Sequence, residues 1–188
     1  MSAALFRRWL TRAAAAALAC LALFAPAAQA QQGDLAAAVK ATFLYRFASF
    51  VSWPPTAFSA PDAPLVICVV ATPDFISLTA AAAQGQNVAG RPIRIQRLGQ
   101  DGLRDCHILF VGANPEATAQ ALRAARGEPI LTVTDEASGM RAHGMIHFVM
   151  LDHRVRFHID DASASQCGLT ISSRLLDLAV SVRRRQQP

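Results

Sequence analysis

The 188-residue chain has one lysine, Lys40, and four cysteines. It has no Gly-x-Ser-x-Gly elbow, no His-Glu-x-x-His and no Walker loop, so the usual signatures of acyl transfer, zinc hydrolysis and nucleotide hydrolysis are missing. Gly85, Gly90, Gly99 and Gly102 do not have the spacing of a dinucleotide fingerprint. Asp105, His107 and Ser172 make a triad only on paper, and the adjacent Asp160 and Asp161 point apart at a strand end. These absences argue against an enzyme and imply no cofactor. No internal repeat and no long Gly/Ser linker divides the chain. Beyond the first thirty residues no apolar run reaches the ~20 residues that span a bilayer.

Residues 1–30 read as a cleaved signal peptide. Arg7, Arg8 and Arg12 supply the positive start, Ala13 to Phe24 the apolar run, and Ala28-Gln29-Ala30 the small residues of a cleavage site. Leu18-Ala19-Cys20 is close to a lipoprotein signal, but Leu21 onward stays apolar and Ala-Gln-Ala is the better cut. Export to the periplasm is the expectation. Eighteen basic residues, less three in the leader, leave 15 against 13 acidic ones, so the net charge falls from +5 to +2. The tail Arg183-Arg184-Arg185 carries more than that excess, and 183–188 reads as a basic flexible end. The charge therefore gives no argument for nucleic acid. Residues 31–182 read as one domain.

Lys40 to Pro54 is the most aromatic stretch. Phe43, Phe47 and Phe50 fall on one helical face, joined by Tyr45 and Trp53. The spacing predicts one helix of about five turns, capped by Asp34 and stopped by Pro54-Pro55. It is apolar enough to be clamped to a core or shared with a partner. Leu65–Val70 and His107–Val111 read as buried strands, Pro92–Leu98 as a half-exposed strand, and Ile130–Thr134 as a further strand. Helices are predicted from Pro73, capped by Thr72, and from Pro115, capped by Asn114. Met145–Leu151 and Arg154–Ile159 flank Asp152-His153 as a hairpin, pairing Ile146 with Ile159, Phe148 with Phe157 and Met150 with Val155. A closing amphipathic helix is predicted from Ser172 or Ser173 to Val182. The fold class is α/β: a three-layer sandwich, its mostly parallel sheet of about six strands covered by helices on both faces, with a terminal hairpin and helix.

Four motifs carry a resemblance. Lys40-Ala-x-Phe-Leu-Tyr-x-Phe-Ala-x-Phe-Val-x-Trp-Pro54 resembles the opening signature of the YfiR family of periplasmic proteins. Gly90-Arg-Pro-Ile-Arg-Ile-x-Arg-Leu98, Cys106-His-Ile-Leu-Phe110 and Gly168-Leu-x-Ile-Ser-Ser-x-Leu-Leu176 match it in order. The resemblance implies a periplasmic repressor that docks on the sensor region of an inner-membrane diguanylate cyclase and lowers cyclic-di-GMP synthesis, with effects on biofilm. An outer-membrane lipoprotein that sequesters the repressor, and a homodimer, are implied as partners. The docking face is expected at Leu169, Ile171, Leu175, Leu176 and Leu178. The alternative is a small-molecule sensor module serving a sensor kinase or a transporter, with its ligand at strand ends near Thr72, Gly112 and Asp135.

Cys68 lies in the first buried strand and Cys106 at the mouth of the third. Such strands are commonly neighbours in a doubly wound sheet, and the family has a disulfide at these positions, so a Cys68–Cys106 bridge is expected. Cys167 is left over, as a buried thiol or a link between subunits. A second bridge of the family cannot form, because no cysteine lies between Gly139 and Ile159. His147 and His158 face each other across the hairpin, but no further ligands have convincing spacing, and no metal site is assigned.

Overall fold

The computed structural model describes residues 33–99, 102–112, 114–136 and 143–185. The leader assigned to residues 1–30 and the end of the chain beyond 185 lie outside the described residues.

Helix α1 covers residues 33–47, so Asp34 lies inside it rather than capping it. The predicted five-turn helix is shorter than expected. A 3₁₀ turn, Ala48–Phe50, ends it, and strand β1, Val51–Ser52, follows. The reason is long-range: β1 pairs antiparallel with β9, Thr170–Ile171, which holds β-branched Val51 extended.

The main sheet is built from β2 (Leu65–Val70), β3 (Asn87–Val88), β4 (Arg91–Arg97), β5 (Ile108–Val111), β6 (Leu131–Asp135), β7 (Ile146–Leu151), β8 (Arg154–Asp160) and β10 (Ser181–Arg183). Its order is β3-β4-β2-β5-β6-β7-β8-β10. The five strands from β4 to β7 run parallel. β3 and β8 pair antiparallel to their neighbours, and β10 runs parallel to β8. The chain thus winds outward in both directions from between β2 and β5. The sheet is mostly parallel as expected, with eight strands. The additional strands are the short edges β3 and β10.

Side chains alternate across β2. Leu65, Ile67 and Val69 join the larger core with α1, while Val66 and Cys68 join the smaller core under α3. Helix α2 (Pro73–Ala83) also packs on the larger face, where Phe75 stacks on Phe110 at 4.7 Å. Helix α3 (Pro115–Ala124) lays Ala121 and Ala125 on the other face. Both helices start as their sequences dictate. Thr72 Oγ1 accepts from the Phe75 N–H, Asn114 Oδ1 accepts from the Ala117 N–H, and a proline opens each first turn.

The hairpin has the predicted register, with Ile146 opposite Ile159, Phe148 opposite Phe157 and Met150 opposite Val155. Asp152 and His153 both have positive φ, +49° and +58°, which makes the two-residue turn left-handed and matched to strand twist. The closing amphipathic helix is a correction. After α4 (Asp161–Gln166) and β9, α5 is only Ser173–Leu176, and the chain then turns into β10. Ser172 makes no side-chain cap, and β8 offers an open edge that residues 181–183 complete.

Candidate functional site

The aromatic stripe of α1 is core. Phe43 and Phe47 meet Phe148 and Phe157 with ring centroids 5.3–6.1 Å apart, in stacked, tilted and edge-on pairs. Beside them the single lysine is buried. Lys40 Nζ donates to both oxygens of Asp135, at 2.8 and 2.7 Å, and ties α1 to the end of β6. Asp135, a candidate ligand residue, has its carboxylate engaged in this pair. Thr72 is engaged in its cap. Gly112 is required by packing, since a Cβ there would lie 2.8 Å from the Phe110 ring. The structure gives each of these three residues a structural role.

Cys68 and Cys106 form a disulfide with Cα atoms 5.8 Å apart, and Cys167 is a free, partly exposed thiol. His107 stands next to that bridge. Its Nδ1 accepts from the Val66 N–H at 3.1 Å, and its Nε2 lies 3.1 Å from the Ala57 carbonyl, to which it donates. Phe58 stacks on the ring at 4.2 Å, and Arg91 covers Phe58 at 3.8 Å while donating to the Ala60 and Ala63 carbonyls. Burial lowers the His107 pKa, so the ring is a neutral clamp holding the 53–63 connector on the sheet. Both nitrogens are occupied, which removes His107 as a catalytic base. Ser172 is held elsewhere, its N–H donating to the Phe50 carbonyl.

His147 and His158 are opposite each other, as the register requires. They are not an equivalent pair. His147 is buried, stacks on His143 at 3.8 Å, and shares a 2.9 Å hydrogen bond with Thr134 Oγ1. Burial, then the neighbouring histidines, push its pKa down to about 4. His158 instead bonds Ser181 Oγ on β10 at 2.6 Å. Among the described residues no group of three or more His, Cys, Asp or Glu is placed to hold a metal ion.

The expected docking residues divide. Leu169, Ile171 and Leu175 are 1–2% exposed and fill the larger core, so they are unavailable to a partner. The physical reason is the β1–β9 pairing, which draws this segment under the end of α1. Leu176 is half-buried, and Leu178 is 56% exposed. Sequence reasoning missed its exposed company: Val180 at 40%, Leu151 at 43% and Met150 at 38%. Leu151, Ala179 and Val180 line one groove of about 600 Å³ together with Asp152, Arg154 and Arg156. The available signal was the pair Met150-Leu151, two large apolar residues in succession at a hairpin tip, where one must face out.

The basic tail is attached through residue 185. Arg183 lies in β10 and pairs with Asp160, and Arg185 pairs with Asp161, both at 3.0 Å. Burial raises the Asp160 carboxyl, but the Ser163 N–H and hydroxyl and the Arg183 guanidinium together hold it below its ordinary range.

No helix among the described residues is long and apolar enough to cross a membrane. A family model described as YfiR/HmsC-like matches residues 37–180. No curated protein matches the chain.

Proposed function

The chain belongs to the YfiR/HmsC-like family of regulatory proteins, and from that premise we propose that it is a periplasmic regulator that docks on the periplasmic region of an inner-membrane diguanylate cyclase and represses cyclic-di-GMP synthesis. The observation that supports docking most directly is the exposure of Leu151 and Val180, which line one groove, with Leu178 exposed two residues before Val180. Apolar side chains that share one exposed groove rimmed by charge are a feature of protein contact surfaces. Arg154 and Arg156 outnumber Asp152 at the groove, and the net positive rim suits a partner surface with acidic residues around an apolar centre. This moves the docking face from Leu169, Ile171 and Leu175, which are core, to the segment that begins at Leu176. Sequestration by an outer-membrane lipoprotein would use the same face, and a homodimer belongs to the same reading.

The test is a cellular cyclic-di-GMP reporter with the cognate cyclase present. Leu178→Asp combined with Val180→Asp is expected to raise the second messenger to the level of a deletion, while the purified variant keeps its circular dichroism and melting midpoint. Full repression by a folded double variant would remove this surface from the interface.

A further inference from the structure

A second concavity lies away from the docking group. It is a cleft of about 650 Å³, open where the starts of β6 and β7 meet the end of β8. One wall is the last turn of α3 and the residues after it, with Leu122, Arg123 and Arg126. The other is α4 and its end, with Ser163 and Cys167. The floor is set by a close backbone approach: a Cβ on Gly144 would lie 2.7 Å from the Thr132 carbonyl oxygen. Thr132 Oγ1 also accepts from the Met145 N–H at 3.0 Å. The floor therefore belongs to the sheet and is preformed.

The charge of the cleft is one-sided. Among the described residues its one carboxylate, Asp160, is already engaged by the Ser163 N–H at 2.9 Å, the Ser163 hydroxyl at 2.7 Å and Arg183 at 3.0 Å. Arg123 and Arg126 line the same space, and among the described residues neither is in an ion pair. Two guanidiniums beside an apolar wall of Ala119 and Leu122 match a defined ligand chemistry. A guanidinium presents a planar fork of donors to an oxyanion, and the wall accepts an apolar body. The volume is within the roughly 300–1,000 Å³ of small-molecule sites.

We propose that this cleft binds small organic anions, with an oxyanion head on Arg123 and Arg126 and an apolar body against Ala119 and Leu122. The site is at the end of the sheet opposite the strand-end crevice where doubly wound folds usually hold ligands. It stands whether or not the protein docks on a cyclase.

Cys167 in the wall gives a readout, since Cys68 and Cys106 are bridged. The full chain is treated with N-ethylmaleimide, and modification of the Cys167 peptide is followed by mass spectrometry. 2-Naphthoate and phenyl phosphate are the anionic probes, and 2-naphthamide is the neutral control. Both anions are expected to slow modification saturably and the amide to do so far less. Arg123→Gln with Arg126→Gln, both at exposed positions, should raise the half-protecting concentration at least about tenfold. Calorimetry on the same proteins gives binding without relying on thiol reactivity. Equal action of naphthoate and naphthamide, indifference to the double variant, or no calorimetric binding of either anion at millimolar concentration would each overturn the proposal.

Discussion

On one face of the sheet, four phenylalanine rings from α1, β7 and β8 interlock over Leu44, Ile67, Leu131 and Ile146. On the other, an alanine-rich α3 rests on Val66, Leu109 and Val111, with a disulfide beside it. The first face is held by large side chains brought together from distant segments. The second has little side-chain volume, and it combines a covalent link with buried polar groups such as Thr134 and His147. Small side chains let helix and sheet approach closely but leave gaps where the helix ends, and the cleft at the end of α3 is such a gap. The contrast shows how one sheet can have a rigid, filled side and a side with room for a ligand.

Breaking the aromatic face should have the larger effect. Phe47→Ala removes a ring packed on three others and should destabilise by about 3–5 kcal/mol, measured by urea unfolding. A loss below about 1 kcal/mol would mean that the cluster is not what holds α1. The disulfide is next. It closes a separation of 38 residues, and Cys68→Ser with Cys106→Ser should lose roughly 3–4 kcal/mol in the chain-entropy account. Because the two changes lie on opposite faces, their effects should add. A coupling above about 0.5 kcal/mol would show that the faces are not independent.

The smallest effect sharpens the contrast through pH. His147 has a folded-state pKa of about 4, against 6.5 for the ordinary group, and His107 is shifted the same way. On acidification the unfolded chain therefore binds protons first. The contribution of His147 is complete above pH 6.5 and falls as pH drops towards 4, by about 3 kcal/mol in all, and that of His107 falls in the same direction. Urea midpoints measured from pH 7.5 to 5 should decline in the native protein and decline less in His147→Gln. Parallel curves for the two would sink the assignment to His147.

Local rules made much of the fold legible. The hairpin register followed from Ile146, Phe148 and Met150 meeting Ile159, Phe157 and Val155, because a slip of one residue would turn the whole apolar set outward. Thr72 and Asn114 announced their helices because a cap is a contact between near neighbours. The misread parts depend on distant partners. Leu175, Leu176, Ala179 and Val182 have helical spacing, yet the open edge of β8 draws 181–183 into a strand. Leu169 and Ile171 looked like a docking face because nothing nearby in sequence reveals that β9 pairs with β1. The cleft draws on α3, β6, the approach to β7, β8 and α4, and no single stretch of sequence carries its signature.

The meeting of Phe43 with Phe157, rings 5.6 Å apart, also sets a timetable. These residues are 114 positions apart in the chain. A polypeptide delivered amino end first, from a ribosome or through a narrow pore, presents α1 long before the hairpin that buries it. Closing so long a loop is entropically costly and slow. The larger core is therefore completed only when β8 arrives, late in the chain.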